Sequence, residues 1–289
     1  MRILSSKQLF IILFLVLFVF TECVPKPPVT VVNTNGEEIH FSNTGAGDIA
    51  LIFIHGFANN QEIWEGQIAH FSDRYQVIAV DLPGFGMSSH NRTEWTMENY
   101  GKDIAGVVHD LKLKKVVLIG HSTGAYVAVE AAHLLKNEVM GLILVDEVKD
   151  LKIHFSEETI VGMKGFLNDL MSNPSEEKLV QGGFFKQHTA ESYQKILKMF
   201  DANPSQVGWD DFISNYFKWS NEKDEIALGN LSVPVSLINA DLPPTNAEQL
   251  HAIISDLNID IVENSGHCIY WDFPEQFNAL IEKNVQKFQ

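Results

Sequence analysis

Cysteine is nearly absent from this chain, with only Cys23 and Cys268 among 289 residues. One follows an N-terminal apolar run and the other lies near the C-terminus, so they do not form the framework of a disulfide-rich protein. Cys-x-x-Cys pairs and other zinc-type spacings are missing, as are glycine-rich phosphate loops. The sequence therefore predicts no metal site and no cofactor.

Positive charge is scarce as well. Lysine and arginine number 21 against 37 aspartates and glutamates, which gives a net charge of −16. Such a chain repels nucleic-acid phosphates and anionic lipid, so we expect no nucleic-acid partner. The chain is 45% hydrophobic and 20% charged, which is enough apolar side chain for a large folded core. We expect a small-molecule partner, and a monomer or a small homo-oligomer.

An unbroken apolar run, residues 9–20, follows Arg2 and Lys7. A membrane-spanning helix needs about 20 apolar residues, whereas a shorter run of this kind fits the apolar core of a signal peptide. Residues 1–23 are therefore interpreted as an export signal, and the proline-rich residues 24–28 as a short tether.

Cys23 stands where bacterial lipoproteins carry their lipidated cysteine, and the segment before it resembles that pattern. Glu22 departs from the pattern, because a small residue is expected there. Two alternatives remain open. A cleaved signal predicts a periplasmic or secreted protein, and a lipoprotein signal predicts attachment to a membrane through Cys23.

Short, mostly β-branched apolar segments alternate with helix-length segments through the rest of the chain. This alternation is typical of parallel strands that are buried on both faces of a sheet. The pair Asn35-Gly36 predicts a hairpin between the first two strands. Strands are predicted at 29–32, 38–41, 51–54, 77–80, 116–119, 142–145, 235–238 and 259–262, and helices near 61–72, 97–112, 123–136, 246–256 and 274–288.

The alternation breaks once, over residues 147–232. No strand pattern is visible there, and amphipathic helical segments occur at 157–171 and 192–200. An insertion of about 85 residues is too long for a loop in a compact domain. We expect a helical cap at 147–232 over the carboxyl edge of the sheet, and an α/β core made of residues 29–146 and 233–289.

The strongest local signal is the sequence Gly-His-Ser-Thr-Gly at 120–124, a G-x-S-x-G pattern. It follows the predicted strand 116–119 and precedes a predicted helix. This is the context of a sharp strand-to-helix turn that lifts a serine hydroxyl clear of the sheet, with glycines where a side chain would clash. Ser122 is therefore the predicted nucleophile, and the N-terminus of the helix adds positive potential beside it.

An acyl-transfer serine needs two hydrogen-bond donors for the oxyanion that forms during the reaction. The backbone N–H of Thr123, next to the nucleophile, is expected to supply one. Phe57 follows the predicted strand 51–54 in the sequence His55-Gly56-Phe57, and its N–H is the expected second donor. His55 is interpreted as a packing residue that orients this loop.

Further short motifs lie around the predicted strand ends. They are Trp64, the run Arg74-Tyr75-Gln76-Val77-Ile78-Ala79-Val80-Asp81-Leu82-Pro83-Gly84-Phe85-Gly86-Met87-Ser88, and Gly266-His267. With the motifs at 55–57 and 120–124, they resemble the α/β-hydrolase family over about residues 29–289, the cap excepted. The resemblance implies a mostly parallel eight-stranded sheet with helices on both faces, and a chain order of serine, acid and histidine.

The same resemblance indicates the general base. Gly266-His267 follows the last predicted strand, and in the family the loop at this place brings an imidazole to the serine. His267 is the predicted base, which takes the hydroxyl proton and returns it to the leaving group. Cys268 lacks the sharp turn of a nucleophile and is interpreted as a packing residue.

Two aspartates compete for the role of the acid that orients His267. The family usually has this aspartate after the seventh strand, where Asp241 fits only if one residue is deleted, and Asn239 stands where glycine is expected. Asp146 ends the sixth predicted strand, from which some family members, such as the haloalkane dehalogenases, draw their acid. Asp146 is favoured and Asp241 stays open, with Glu147 as a further alternative.

A serine at position 122 excludes the aspartate-dependent dehalogenase and epoxide-hydrolase reactions of this fold. Hydrolysis of a carboxylic ester through an acyl-enzyme is the predicted reaction. The alternative within serine chemistry is cleavage of a lactone, a thioester, an amide or a C–C bond. The alternative from another class is a ligand-binding protein on a hydrolase scaffold, because fold does not determine function.

The cap is expected to select the substrate. Most of its aromatic residues, with Met163 and Met171, are expected to form the core of the cap, and the remainder to line a pocket for an apolar substrate of small to medium size. These aromatic residues are Phe166, Phe184, Phe185, Phe200, Phe212, Tyr216, Phe217 and Trp219.

Overall fold

A computed structural model describes residues 29–186, 190–202 and 208–289. The predicted signal at 1–23, with Cys23, and the tether at 24–28 lie outside the described residues. Within the described ranges, no helix is long and apolar enough to cross a membrane.

Eight strands form one sheet in the order β1-β2-β4-β3-β5-β6-β7-β8. The second strand runs antiparallel to both of its neighbours, and all other neighbouring pairs are parallel. The predicted α/β-hydrolase sheet, eight-stranded and mostly parallel, is therefore confirmed. The strands are β1 (Val29–Thr34), β2 (Glu37–Thr44), β3 (Ala50–Ile54), β4 (Gln76–Val80), β5 (Val116–His121), β6 (Val139–Val145), β7 (Val235–Ala240) and β8 (Leu257–Val262).

The β1–β2 connection is a tight turn at Asn35 and Gly36, whose φ angles are 52° and 83°. Two successive positive φ angles match the right-handed twist of a hairpin, and asparagine followed by glycine adopts them at low cost. The hairpin predicted from these two residues is present.

Helices cover both faces of the sheet. On β3, Ile52 and Ile54 pack on one face with α2, α3 and α8, whereas Leu51 and Phe53 pack on the other with α1 and α10. A strand buried on both faces shows no polar alternation, which is why these strands read as continuous apolar runs. The helices are α1 (Glu65–Phe71), α2 (Met97–Asp110), α3 (Thr123–Leu134), α4 (Glu157–Ser172), α5 (Glu176–Gln181), α6 (Ala190–Ala202), α7 (Trp209–Gly229), α8 (Ala247–Ile253), α9 (Ile269–Asp272) and α10 (Pro274–Lys287).

Helices α4 to α7 are inserted between β6 and β7, inside the range predicted as a helical cap. Helix α4 begins after Ser156, whose hydroxyl accepts the N–H of Thr159 at 3.2 Å and so caps the helix. The expectation for Met163 is wrong: its side chain is 40% exposed, because it lies on the outer side of α4. Four of the eight aromatic residues are buried in the core as expected, namely Phe185, Phe212, Phe217 and Trp219.

Arg92 joins the loop before α2 to the sheet through a buried ion pair. Its guanidinium donates to Asp103 on α2 at 2.5 Å and to Glu37 on β2 at 3.4 Å. The Arg92 side chain is 5% exposed, and it lies over the ring of Tyr100 at 4.9 Å from the centroid. Loss of one partner would leave the other buried and uncompensated.

We therefore expect Arg92→Met to lower the free energy of unfolding by about 3–5 kcal/mol. The matched control is Arg74→Met, because Arg74 pairs with Asp73 and Glu282 at the surface and is 41% exposed. The control should lose about 1 kcal/mol or less. Urea denaturation at pH 7 measures both, and equal losses would contradict this view of the Arg92 pair.

Candidate active site

Ser122 occupies the turn between β5 and α3. Its backbone angles are φ 53° and ψ −128°, a conformation that residues with side chains rarely adopt. The turn is held because Ser122 N–H donates to the Val145 carbonyl at 3.0 Å, and Ala125 N–H donates to the Ser122 carbonyl at 2.8 Å. Strain of this kind is retained where the surrounding structure enforces it, which is common at functional sites.

Close packing explains the glycines around this turn. A Cβ on Gly120 would lie 2.3 Å from the carbonyl oxygen of Gly124, and one on Gly124 would lie 2.5 Å from that of His55. A Cβ on Gly56 would lie 2.9 Å from the Cβ of Ser122. The serine turn and the loop after β3 are therefore one packed unit.

Two backbone donors are available in this unit. Within the described residues, the N–H groups of Phe57 and Thr123 donate to no protein acceptor. Thr123 is the first residue of α3, where an N–H has no acceptor within its own helix. The Phe57 ring packs against Trp209 and Phe212 of α7, at centroid distances of 5.3 and 5.9 Å, and this contact holds the loop.

His55 is a buried link between two loops. Its Nε2 accepts the N–H of Leu82 at 3.0 Å, which leaves Nδ1 to donate to the carbonyl of Gly56 at 2.7 Å. Burial lowers the pKa of His55, so the ring stays neutral. These contacts support a packing role.

The two candidate acids have different partners. Oδ2 of Asp146, directly after β6, lies 2.6 Å from Nδ1 of His267. Oδ2 of Asp241, after β7, accepts a hydrogen bond from Nζ of Lys186 at 2.7 Å instead. Glu147 faces another group, since its Oε1 accepts the hydroxyl of Tyr216 at 3.0 Å.

The carboxylate of Asp146 is fully engaged. Its Oδ1 accepts the N–H of Ala240 at 2.8 Å and contacts Nζ of Lys149 at 2.8 Å. Burial by itself would raise the pKa of Asp146, but the hydrogen bond and charge of His267, with the charge of Lys149, hold it at about 2. The side chain is therefore ionised at neutral pH and can orient an imidazole.

The loop that carries His267 is bonded to the cap. The N–H of His267 donates to the carbonyl of Gly183 at 2.9 Å, and the N–H of Cys268 donates to that of Phe184 at 3.1 Å. A Cβ on Gly266 would lie 2.5 Å from the Cα of Phe185. The His267 side chain is 26% exposed, so its outer edge is open to the site.

Ser122 and His267 lie at the same edge of the sheet without a hydrogen bond between them. His121, next to Ser122 in the chain, connects the two residues. Its Nε2 donates to the carbonyl of His267 at 3.0 Å, and its ring lies 4.4 Å from the His267 ring. The Ser122 hydroxyl has no hydrogen-bond partner among the described residues. The hydrogen bond between a nucleophile and its base is often long before substrate binds, and it tightens when substrate is present.

A small apolar cavity adjoins His267. Its volume of about 20 Å³ is enough for roughly one water molecule. Phe184 and Phe200 line it, as does Met171, which is half-buried rather than part of a closed core. The other lining residues are Phe57, Ala58, Asn59, His121, Leu167, Leu170, Ile196 and Cys268.

Two residues of this site had no sequence prediction. His121 occupies a variable position of the G-x-S-x-G pattern, so the pattern says nothing of its contact with His267. Lys149 contacts Asp146 from three residues further along, and a lysine at that spacing from a strand-ending aspartate is the only signal for it. Both contacts depend on tertiary packing.

In the described part of the chain, no three histidine, cysteine, aspartate or glutamate side chains are arranged to hold a metal ion. The groups at the site are a strained serine, two free N–H donors, and a histidine bonded to an ionised aspartate. This set can transfer an acyl group, because it provides a nucleophile, a base and stabilisation for an oxyanion.

Residues 51–280 match the sequence profile of the alpha/beta hydrolase family, and the chain belongs to that family. An uncharacterized protein of Mycobacterium tuberculosis is 25% identical over 280 residues, which cover 90% of this chain and 82% of that protein. The family and its neighbours indicate a hydrolase.

Two solved esterase structures have the same fold. The esterase of Thermogutta terrifontis has a TM-score of 0.71 and 23% identity, over 90% of this chain and 99% of that chain. The esterase of Exiguobacterium antarcticum has a TM-score of 0.74 and 22% identity, over 89% of this chain and 99% of that chain. At these identities the likeness shows the fold.

The buried, neutral His121 generates a prediction about stability. Burial and the neighbouring His267 hold the pKa of His121 well below its ordinary value. In the unfolded chain the His121 ring takes up a proton near pH 6.5, whereas in the folded chain it stays neutral at that pH. The contribution of neutral His121 to the free energy of unfolding is therefore fully present above pH 6.5 and is lost as the pH falls below it. We expect a loss of up to about 1.4 kcal/mol per pH unit from this residue.

His121→Gln should remove this part of the pH dependence. The glutamine cannot be protonated, and its amide can still donate a hydrogen bond. Urea denaturation at pH 7.5, 6.5 and 5.5 gives the free energy of unfolding of both proteins. An unchanged slope between pH 6.5 and 5.5 in the variant would show that His121 is not held neutral.

Proposed function

We propose that this protein is a serine hydrolase that cleaves a carboxylic ester of a small to medium apolar substrate through an acyl-enzyme. The observation that carries the proposal is the 2.6 Å contact between Asp146 and His267, beside a serine held in a strained turn. An imidazole bonded to an ionised carboxylate is the activating group that a serine nucleophile requires.

The reaction begins at the Ser122 hydroxyl. His267 takes its proton as the oxygen attacks the ester carbonyl, and Asp146 stabilises the imidazolium without being protonated. The N–H groups of Phe57 and Thr123 bind the negative oxygen of the tetrahedral intermediate. His267 then gives the proton to the leaving alcohol, and a water molecule that it deprotonates releases the acid.

Asp146 takes the role of the acid in this proposal, and Asp241 does not. The Asp241 carboxylate is bound by Lys186 of the cap, which lowers its pKa through a hydrogen bond. An aspartate paired in this way links the cap to the end of β7.

The cavity beside His267 supports an apolar substrate. Leucine, isoleucine, methionine and phenylalanine side chains make up most of its lining, and the polar side chains among the described lining residues are those of Asn59, His121, His267 and Cys268. No lysine, arginine, aspartate or glutamate is among the described lining residues, so none of them would pair with a carboxylate or an ammonium group on the acyl portion. The small volume of the cavity favours short acyl groups.

The N-terminal segment adds a proposal about location that rests on the sequence alone. The apolar run 9–20 supports export, to a periplasmic or secreted location if the signal is cleaved. Modification of Cys23 would instead attach the protein to a membrane. No cofactor and no nucleic acid enters the proposed reaction.

Hydrolysis of p-nitrophenyl esters from acetate to palmitate tests the proposed activity. We expect the highest kcat/KM at short chains, and a loss of about 10⁴-fold or more in Ser122→Ala and in His267→Ala. Ser156→Ala is the matched control, because Ser156 is an exposed serine that does not line the cavity beside His267. If no ester is turned over while one ligand binds tightly, the protein is a binding protein on a hydrolase scaffold.

Two aspartate substitutions test the choice of acid. We expect Asp146→Asn to lower kcat/KM by about 10⁴-fold, because the amide disfavours the required tautomer of His267. Asp241→Asn should lose less than about threefold, because it removes only a partly exposed ion pair. The same ester assay measures both, and the opposite order of losses would name Asp241 as the acid.

A further inference from the structure

A half-buried ammonium group lies against the carboxylate that contacts His267. Nζ of Lys149 is 2.8 Å from Oδ1 of Asp146, the oxygen that His267 does not use. The side chains of Lys149 and Asp146 are 10% and 5% exposed. Two opposite charges at this distance attract each other, and their partial burial reduces screening by water.

Lys149 also binds the backbone at the end of β7. Its Nζ donates to the carbonyl of Leu242 at 2.8 Å and lies 3.4 Å from that of Ala240. The N–H of Ala240 in turn donates to Oδ1 of Asp146 at 2.8 Å. One ammonium group thus connects the ends of β6 and β7 around a single carboxylate oxygen.

The backbone between Asp146 and Lys149 has an unusual conformation. Asp146 and Val148 have φ angles of 48° and 59°, and a β-branched residue at positive φ is a rare outlier. Val148 is buried, so packing holds it there. The two positive φ angles bend the chain, and Nζ of Lys149 reaches Oδ1 of Asp146 three residues before it.

Several other titratable groups surround His267. The neutral ring of His121, on β5, lies 4.4 Å from the His267 ring. Glu147 follows Asp146 in the chain, and burial raises the pKa of its carboxyl group. Asp272 on α9 accepts the N–H of Gly266 at 3.1 Å. On the cap side, Asp241 is paired with Lys186. Among the described residues, Lys149 is the only lysine or arginine in contact with Asp146.

We propose that Lys149 is a positioning residue, which fixes the carboxylate of Asp146 toward His267 and keeps the imidazole unprotonated to lower pH. The inference rests on the proposed function, in which His267 acts as the base. The fixed positive charge opposes protonation of the ring by Coulomb repulsion. A general base works only while it is unprotonated, so the acid side of the active pH range depends on this lysine.

Lys149→Met and Lys149→Arg separate the charge from the packing. In Lys149→Met we expect the acidic limb of kcat/KM to move to higher pH by about one unit, which is about a tenfold loss on that limb. Lys149→Arg keeps the charge and should leave the limb near its wild-type position. Lys186→Met is the matched control, because it removes a lysine from Asp241 and should not move the limb.

Titration of the His267 side-chain ¹⁵N signals by NMR gives a second readout that needs no turnover. The pH midpoint of this titration should shift to higher pH in Lys149→Met and stay at its wild-type value in Lys186→Met. If wild type hydrolyses no ester, the proposed function fails, and the NMR titration still decides the role of Lys149.

Lys149→Gln replaces the methionine variant if that variant does not fold, because the amide can still bind the Leu242 carbonyl. Equal titration of His267 in wild type and in the uncharged variant would overturn the proposal. An equal shift in Lys149→Arg and the uncharged variant would overturn it as well, since charge would then not be the cause.

Discussion

The hydrogen bond between Asp146 and His267 joins two parts of the chain that are far apart in sequence. Asp146 directly follows β6, and His267 follows β8, with the cap, β7 and β8 between them. The sheet makes the contact possible, because β5, β6, β7 and β8 are consecutive neighbours and run parallel. Their carboxyl ends therefore meet at one edge, where ligands bind in sheets of this type.

The rest of the site is built around this contact by close packing. At Gly56, Gly120 and Gly124 there is no space for a side chain, so the loop after β3 and the serine turn take up one fixed arrangement. The cap contacts the same place from the other side, because the carbonyls of Gly183 and Phe184 accept hydrogen bonds from the N–H groups of His267 and Cys268. Movement of the cap would therefore be transmitted directly to His267.

The sheet and most helices could be predicted from the sequence, because buried parallel strands leave continuous apolar runs between helix-length segments. The strand-to-helix turn at Ser122 could be predicted as well, because the G-x-S-x-G motif is local in sequence. The choice between Asp146 and Asp241 could not be made, because it depends on which carboxylate reaches His267 in space. Lys149 was missed because its role depends on two positive φ angles that no local pattern indicates. Met163 was assigned to the core because an amphipathic pattern does not say which face of α4 is covered.

If Ser122 is a nucleophile activated by His267, a fluorophosphonate will trap it covalently. The protein would be incubated with a fluorophosphonate, and the modified peptide would be located by mass spectrometry after digestion. We expect one adduct, on Ser122, whose formation slows by orders of magnitude in His267→Ala. An unmodified protein, or an adduct on another residue, would contradict it.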